Sequence, residues 1–543
     1  MDEQEEDGMK RKVCRALAGV GLAALAAGAA ASACSGAEDC ADNGTCPHSQ
    51  ASSSGGTTGG DPGAACVPKK GEPPPPDECG LWVSSSQGHD GSYGGFKYAP
   101  VRSIKEALKR VSKPDWAGAR IYVCAEEFTG HLVVPAGTMI YGGLDCNDGW
   151  IWIGDTRKST VKAPPDLVAM RLSAGEGTTR VEDLTVVAAD GHEPGRSSIA
   201  ALASGVTAEL VRCELVAGDA TDGAPGAPGA EPSMPGGQIP HAKMGMNGKS
   251  GTVACLNLFE TSGGAATQGS CDDSTSSTGG KGGNGRAFVG VNGDAGTPGT
   301  SGIGGIGQPT ATGSWKCDTI GKGHNGNDGA DGALGQGALG LGSLSVKSGY
   351  LGVDGLDGAS GVHGHAGGGG GGARGPTVGQ GCAGASGGSG GSGGCGGLPG
   401  QGGQAGGSSI TLVSLDANVM LTDCSLTAGK GGRGGAGGDS QPGGHGGAAG
   451  QGGIGLSGGS ASKNACPGGT GGHGGAGGPG GGGLGGHSIV IAFSGTPVAR
   501  AGAVTLTPGS SAEGGPGGNS NTQSNAGEGG VIAEEQEMLQ AEP

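Results

Sequence analysis

Glycine sets the first limit on this chain. Of 543 residues, 134 are Gly, against a usual share of about 7%, and they are patterned. Across residues 384–403, 429–459 and 468–478 the Gly fall in two of every three positions, as in Gly431-Gly432, Gly434-Gly435 and Gly437-Gly438. Such Gly-Gly-X tracts cannot build a side-chain core. A period of three matches a polyproline-II-type helix, with three residues per turn. Each X residue then lies on one edge, and two bare edges let neighbouring helices approach and exchange backbone hydrogen bonds. The X residues Ser389, Ser392, Arg433, Ala436, His445 and Thr470 suit an exposed edge. Cys395 is also an X residue, placed to staple adjacent passes by a disulfide. Collagen fits poorly, since it needs one Gly per triplet and abundant imino acid. The other reading of these tracts is a disordered linker, because ordering Gly costs more backbone entropy than ordering any other residue.

The first residues predict export. Met9-Lys10-Arg11-Lys12 forms a basic start, with Met1 as the alternative initiator, and an apolar run over 16–31 follows. It ends at Ala31-Ser32-Ala33-Cys34, so residues 1–33 read as a signal peptide. The small residues before Cys34 resemble a bacterial lipobox, although Ala31 stands where Leu is usual. The resemblance implies lipid on Cys34, and Ser35 rather than Asp after it implies the outer membrane or cell surface of a Gram-negative bacterium. The alternative is plain secretion after Ala33. No later apolar run is long enough to span a bilayer. Of 16 Cys, removing Cys14 and Cys34 leaves an even number, as disulfides require. The disulfide candidates are Cys40 with Cys46, Cys66 with Cys79, and Cys124, Cys146, Cys382 and Cys395. Zinc is the rival reading, but no Cys-x-x-Cys occurs. Residues 34–79, rich in Cys, Pro and Ser, read as a tether.

Beyond the tether the texture changes. Ser-Ile-Lys-Glu-Ala-Leu-Lys-Arg-Val over 103–111 places Ile104, Ala107, Leu108 and Val111 on one helix face. Strand-like runs follow over 119–125, 131–134, 138–141, 168–172, 181–187 and 206–216. Their spacing allows a sandwich or a solenoid. A repeat favours the solenoid. Ser198-Ile199 precedes Cys213-Glu-Leu-Val-Ala-Gly, Ser409-Ile410 precedes Cys424-Ser-Leu-Thr-Ala-Gly, and Ser488-Ile489 precedes Val504-Thr-Leu-Thr-Pro-Gly. Leu184-Thr-Val-Val-Ala is a partial copy. Alternation places Cys213 with Leu215, and Cys424 with Leu426, on the interior side.

A Ser-Ile-Lys-Glu-Ala-Leu helix, then Tyr-Val-Cys-Ala-Glu-Glu-Phe, then Ile-Tyr-Gly-Gly-Leu-Asp-Cys and repeated coils resembles the right-handed parallel β-helix (pectin-lyase-like) proteins. More narrowly it is similar to Gly-rich exported proteins of myxobacteria, loosely labelled the PE-PGRS family. The resemblance implies an all-β, right-handed parallel β-helix interrupted by long Gly-rich insertions, with the opening helix as an end cap. The β-helix would occupy 80–217, 408–428 and 487–509. Insertions would fill 218–407 and 429–486, and 510–543 would be an acidic disordered tail.

Function is less constrained. A formal charge of −17 argues against nucleic acid as a partner, because phosphate binding needs clustered Lys and Arg. Lyases on this fold would need clustered Asp and a basic residue. Asp183, Asp190, Arg212, Asp219 and Asp423 are the candidates, yet no base recurs beside them. No cofactor is implied, although Asp328, Asp331, Asp354 and Asp357 lie in Gly/Asp turns that resemble loose calcium sites. The regular nonapeptide calcium repeat is absent. His324, His363, His365, His445, His473 and His487 lack a fixed ligand spacing. The reading is a non-enzymatic cell-surface lipoprotein: a structural, adhesive or binding platform. Its partners are the outer membrane, through lipid, and extracellular polysaccharide or other surface components. The alternative is a carbohydrate-active enzyme, a polysaccharide lyase or hydrolase.

Overall fold

The computed structural model describes residues 64–542, apart from 117, 234–237, 311–313, 377–380, 458–460 and 522. The signal reading, the lipid site Cys34 and the Cys40/Cys46 pair therefore lie outside the described residues.

Three parallel sheets organise the rest. The first contains Gly80–Val83, Arg120–Cys124, Met139–Asp145, Thr178–Glu182, Thr207–Val211, Asn418–Thr422 and Ala499–Ala501. The second contains Glu127–Thr129, Ser159–Lys162, Leu184–Val187, Glu214–Val216, Ser425–Thr427 and Thr505–Thr507. The third contains Leu132–Val134, Met170–Leu172, Ser198–Ser204, Ser409–Leu415, Ser488–Ser494 and Ile532–Glu537. From Arg120 onward the chain enters the three sheets in that order, over and over. The repeat falls in register: Ser198 pairs with Ser409 and Ser409 with Ser488, while Leu215 pairs with Leu426 and Leu426 with Leu506.

Side chains inside the three sheets form the main core. Ala201, Leu412 and Ile491 meet there from the third sheet, and Cys213, Leu215, Cys424 and Leu426 from the second. The Ile104–Val111 helix is capped by Ser103, whose side chain accepts the Glu106 N–H. It buries Ile104, Ala107 and Leu108 against the first strands of the first and third sheets. The outer side of the third sheet is buried too. There Ile199, Leu202, Ile410 and Val413 meet Leu344 and Tyr350 of the Ser343–Ser345/Gly349–Leu351 hairpin.

Two runs read as single strands are bent in the structure. Residues 181–187 turn at Asp183 (φ 55°) and residues 206–216 turn at Arg212 (φ 51°). Asp423 (φ 52°) and Gly502 (φ 66°) hold the equivalent place in later passes. The left-handed conformation, uncommon outside Gly, swings the chain from the first sheet to the second in one to three residues.

The opposite design holds between the second and third sheets. Every Gly-rich excursion leaves at that corner: after Val216, after Thr427 and after Thr507. They continue the stacking outward. Gly223, Gly226 and Gly229 donate to the carbonyls of Arg433, Ala436 and Asp439. Gly388, Gly391, Gly394, Gly397 and Gly400 donate to Cys466, Gly469, Gly472, Gly475 and Gly478. Antiparallel neighbours interleave, as where Gly435, Gly438, Gln441 and Gly444 donate to Gln404, Gln401, Leu398 and Cys395. Donors and acceptors recur every third residue on several sides, as a threefold helix requires. These bonds order the tracts, and the result is a slab of packed Gly-rich passes.

Three expectations need correction. The pass over 386–406 lies in the middle of the slab, so its X edge is not exposed: Ser386, Ser389 and Ser392 are fully buried. Their hydroxyls accept the N–H groups of Thr252, Lys249 and Met246 at 2.6, 2.7 and 2.7 Å. Residues 510–543 are not a disordered tail. Gly515 and Gly518 donate into the slab, and Ile532–Glu537 extends the third sheet beside Ser488–Ser494. The tether reading of 34–79 fails for its last part. From Ala64 the chain is docked, with the Tyr122 hydroxyl donating to the Cys66 carbonyl at 2.7 Å.

Candidate functional site

The carboxylates that the sequence singles out are brought to backbone rather than to one another. The register that pairs Glu182, Val211, Thr422 and Ala501 stacks Asp183, Arg212, Asp423 and Gly502 in one row. Asp183 is buried and receives the Trp152 indole N–H at 2.8 Å. The Arg212 guanidinium grips both its oxygens, at 2.8 Å each, and reaches Glu182 at 2.6 Å. The Asp183 carboxylate, with Glu182 behind it, holds the Arg212 charge more firmly than usual against the opposing effect of burial. This is a closed ion pair, with neither a free nucleophile nor a free base. Asp423 is exposed but accepts the Ala503 N–H at 2.8 Å.

The remaining acids repeat the pattern. Asp190 accepts from the N–H of Asp219, and Asp219 from that of Lys430. The four calcium candidates do the same: Asp328 from His473, Asp331 from Ala476, Asp354 from Ala405 and Asp357 from Gly402, each at 2.7 Å. Asn325, Asp222 and Asn247 cap Thr470, Arg433 and Ala448 likewise. The X edge at the slab rim has N–H groups with no further helix to meet. An Asx side chain on the adjoining helix supplies the acceptor. Sequence reasoning missed this role, although Asn325, Asp328 and Asp331 show the period of three.

Disulfides staple the slab. Cys255 bonds Cys382, Cys271 bonds Cys395 and Cys317 bonds Cys466, while Cys66 bonds Cys79 and Cys124 bonds Cys146 near the start. The even count does not extend to every Cys, for Cys213 and Cys424 are buried thiols. The hydrogen bond with Cys424, then burial, pushes the Cys213 thiol well above its usual value. Among the described residues two groups have metal-ligand composition, Cys271/His363/Cys395 and Cys124/Glu126/Cys146. In both, the sulfurs are spent in disulfides. His363 instead contacts Asp273 at 2.8 Å. Hydrogen bonds from the Thr275 hydroxyl and N–H, with His363 adding to them, lower the Asp273 carboxyl to about 2.

One large cleft, of about 1160 Å³, opens beside the third sheet. Its floor includes His131, Val133 and Arg171, and its walls include Arg196, Lys347 and Gln404. The Arg171 guanidinium is committed to the carbonyls of Val346 and Lys347, at 2.8 and 2.6 Å, which ties the hairpin down. The cleft's Asp166 and Asp354 are occupied by the N–H groups of His192 and Ala405. The cleft offers mixed hydrogen-bonding groups on a rigid floor, which suits holding a polar ligand. No family model, curated protein or solved structure matches the chain.

Proposed function

We propose that the protein is a non-enzymatic surface protein, built as a right-handed parallel β-helix with a stapled Gly-rich slab. The cyclic visiting order of the three parallel sheets supports the β-helix, and parallel crossovers are right-handed in nearly all proteins. The basic-apolar-small start, with Cys34, supports export and lipid attachment to an outer membrane. The ligand class we favour is extracellular polysaccharide, held in the cleft by groups such as Arg196, Lys347 and Gln404.

One observation carries the non-enzymatic reading. Each acid that the sequence singles out for a lyase, Asp183, Asp190, Asp219 and Asp423, is already bound to backbone N–H groups, to Trp152 or to Arg212. A general acid or base must reach a substrate proton, and these groups hold the frame together instead. The test is incubation of the purified protein with a panel of neutral and acidic polysaccharides. The proposal expects retention of some polysaccharides, weakened by Lys347→Ala with Arg196→Ala, and no cleavage. New reducing ends or unsaturated product ends, formed in proportion to the protein, would overturn it.

A further inference from the structure

The slab brings together three imidazoles that the sequence keeps apart. His241, His445 and His473 belong to three adjacent passes. Gly245 donates to the His445 carbonyl at 2.7 Å. On the other side, Gly471 and Gly474 donate to Gly447 and Gly444 at 2.9 Å. All three side chains are exposed on the same rim. The Nδ1 atoms of His445 and His473 stand 3.1 Å apart. Their rings meet edge to face at 5.1 Å, and the His241 ring lies over His445 at 4.8 Å.

We infer that this rim is a binding site for a divalent transition-metal ion, with His445 and His473 as its first two ligands and His241 as the third. The distance is right for it. With metal–nitrogen bonds of about 2.0–2.1 Å, two imidazole nitrogens on one ion stand about 2.9 Å apart in a square plane and about 3.3 Å apart in a tetrahedron. The observed separation falls between these values. The Gly446 N–H also points at the His473 Nδ1, at 3.4 Å, which marks that atom as the acceptor of the facing pair; an ion in place of the proton from His445 uses both lone pairs.

His241 is prepared in a complementary way. Its Nδ1 lies 2.9 Å from the Gly443 carbonyl oxygen, which can only accept. Nδ1 must therefore carry the proton, leaving the lone pair on Nε2. A carbonyl fixing the tautomer of a metal-binding imidazole is a recurrent support. Nε2 is then the nitrogen that this exposed ring offers as the third ligand, and water completes the shell. An all-imidazole set selects Cu²⁺ ahead of Ni²⁺ and Zn²⁺, and disfavours Ca²⁺ and Mg²⁺, which take oxygen.

The experiment is Cu²⁺ titration of the chelator-treated full chain, followed by calorimetry and electron paramagnetic resonance. One ion per chain is expected, with hyperfine splitting from two or three imidazole nitrogens. His445→Ala or His473→Ala should each weaken binding at least tenfold, with His241→Ala causing a smaller loss, while His363→Ala leaves it unchanged. Thermal unfolding of each variant without metal should match the parent, because the three rings are exposed. Absence of stoichiometric binding, or binding that survives in the His445→Ala/His473→Ala double variant, would overturn the site.

Discussion

Replacing Gly393 by Ala puts a methyl group where the slab has no room. A Cβ built there lies 1.8 Å from the Gly364 carbonyl oxygen and 2.4 Å from its carbon. Carbon–oxygen contacts of this kind normally sit at about 3.3–3.6 Å. The pass over 386–406 and its neighbour over 355–370 must therefore move apart by roughly 1.5 Å. Across that seam Gly361, Gly364 and Gly367 donate to Gly397, Gly394 and Gly391, all at 2.9 Å. Lengthening two or three of these bonds past use costs about 0.5–1.5 kcal/mol each, and overpacking strain adds about 1–3 kcal/mol. The lower entropy of the unfolded Ala chain returns about 0.4–1 kcal/mol. The net expectation is a loss of about 1–7 kcal/mol. The control is Gly381→Ala, where an added Cβ meets nothing within 4 Å. Urea unfolding and amide exchange of the two variants make the comparison. Equal stability of the two, to within about 0.5 kcal/mol, with unchanged exchange over 355–403, would refute the close-packed account of the slab.

Three more outcomes follow from the same structure. Arg212→Ala strands the buried carboxylate of Asp183, while Glu182 keeps Arg180, and should cost about 3–5 kcal/mol in denaturant unfolding; a loss below about 1 kcal/mol would show that the pair is not closed. Ser389→Ala removes the buried hydroxyl that accepts the Lys249 N–H and should cost about 1–3 kcal/mol, whereas Thr470→Ala on the exposed rim should be near neutral in the same assay. His487 is buried between the Val531 N–H and the Leu341 carbonyl, and burial lowers its pKa. The unfolded chain therefore binds this proton first, so stability should be full above the unfolded value of about 6.5 and fall as pH drops below it. His487→Gln should flatten that slope in unfolding measured from pH 7.5 to 5; an unaltered slope would refute the assignment.

The parts of the fold legible in the sequence were those set by local pattern. The Ser-Ile and Cys-x-Leu repeats lie in register because each pass presents the same residues to the same interior. Helix 104–111 was legible from its 3.6-residue period and its Ser103 cap. The bends at Asp183 and Arg212 were hidden, since apolar alternation runs straight through both positions; Asp is enriched at positive φ, but Arg is not. The slab was half legible. Period three foretold the spacing of the hydrogen bonds between passes, but the burial of Ser389 depends on how many passes surround it. The Asp residues looked like ligand turns because their partners, such as His473 for Asp328, lie on a distant pass. The same remoteness hid the His241, His445 and His473 cluster.

The central claim is that the Gly-rich passes pack in one defined register. A disulfide map of the non-reduced protein tests it most directly, by digestion and mass spectrometry with free thiols blocked. The account predicts Cys255–Cys382, Cys271–Cys395 and Cys317–Cys466 as single species, with Cys213 and Cys424 unpaired. If those six cysteines are free or scrambled while Cys66–Cys79 and Cys124–Cys146 stay intact, the slab does not exist in this register.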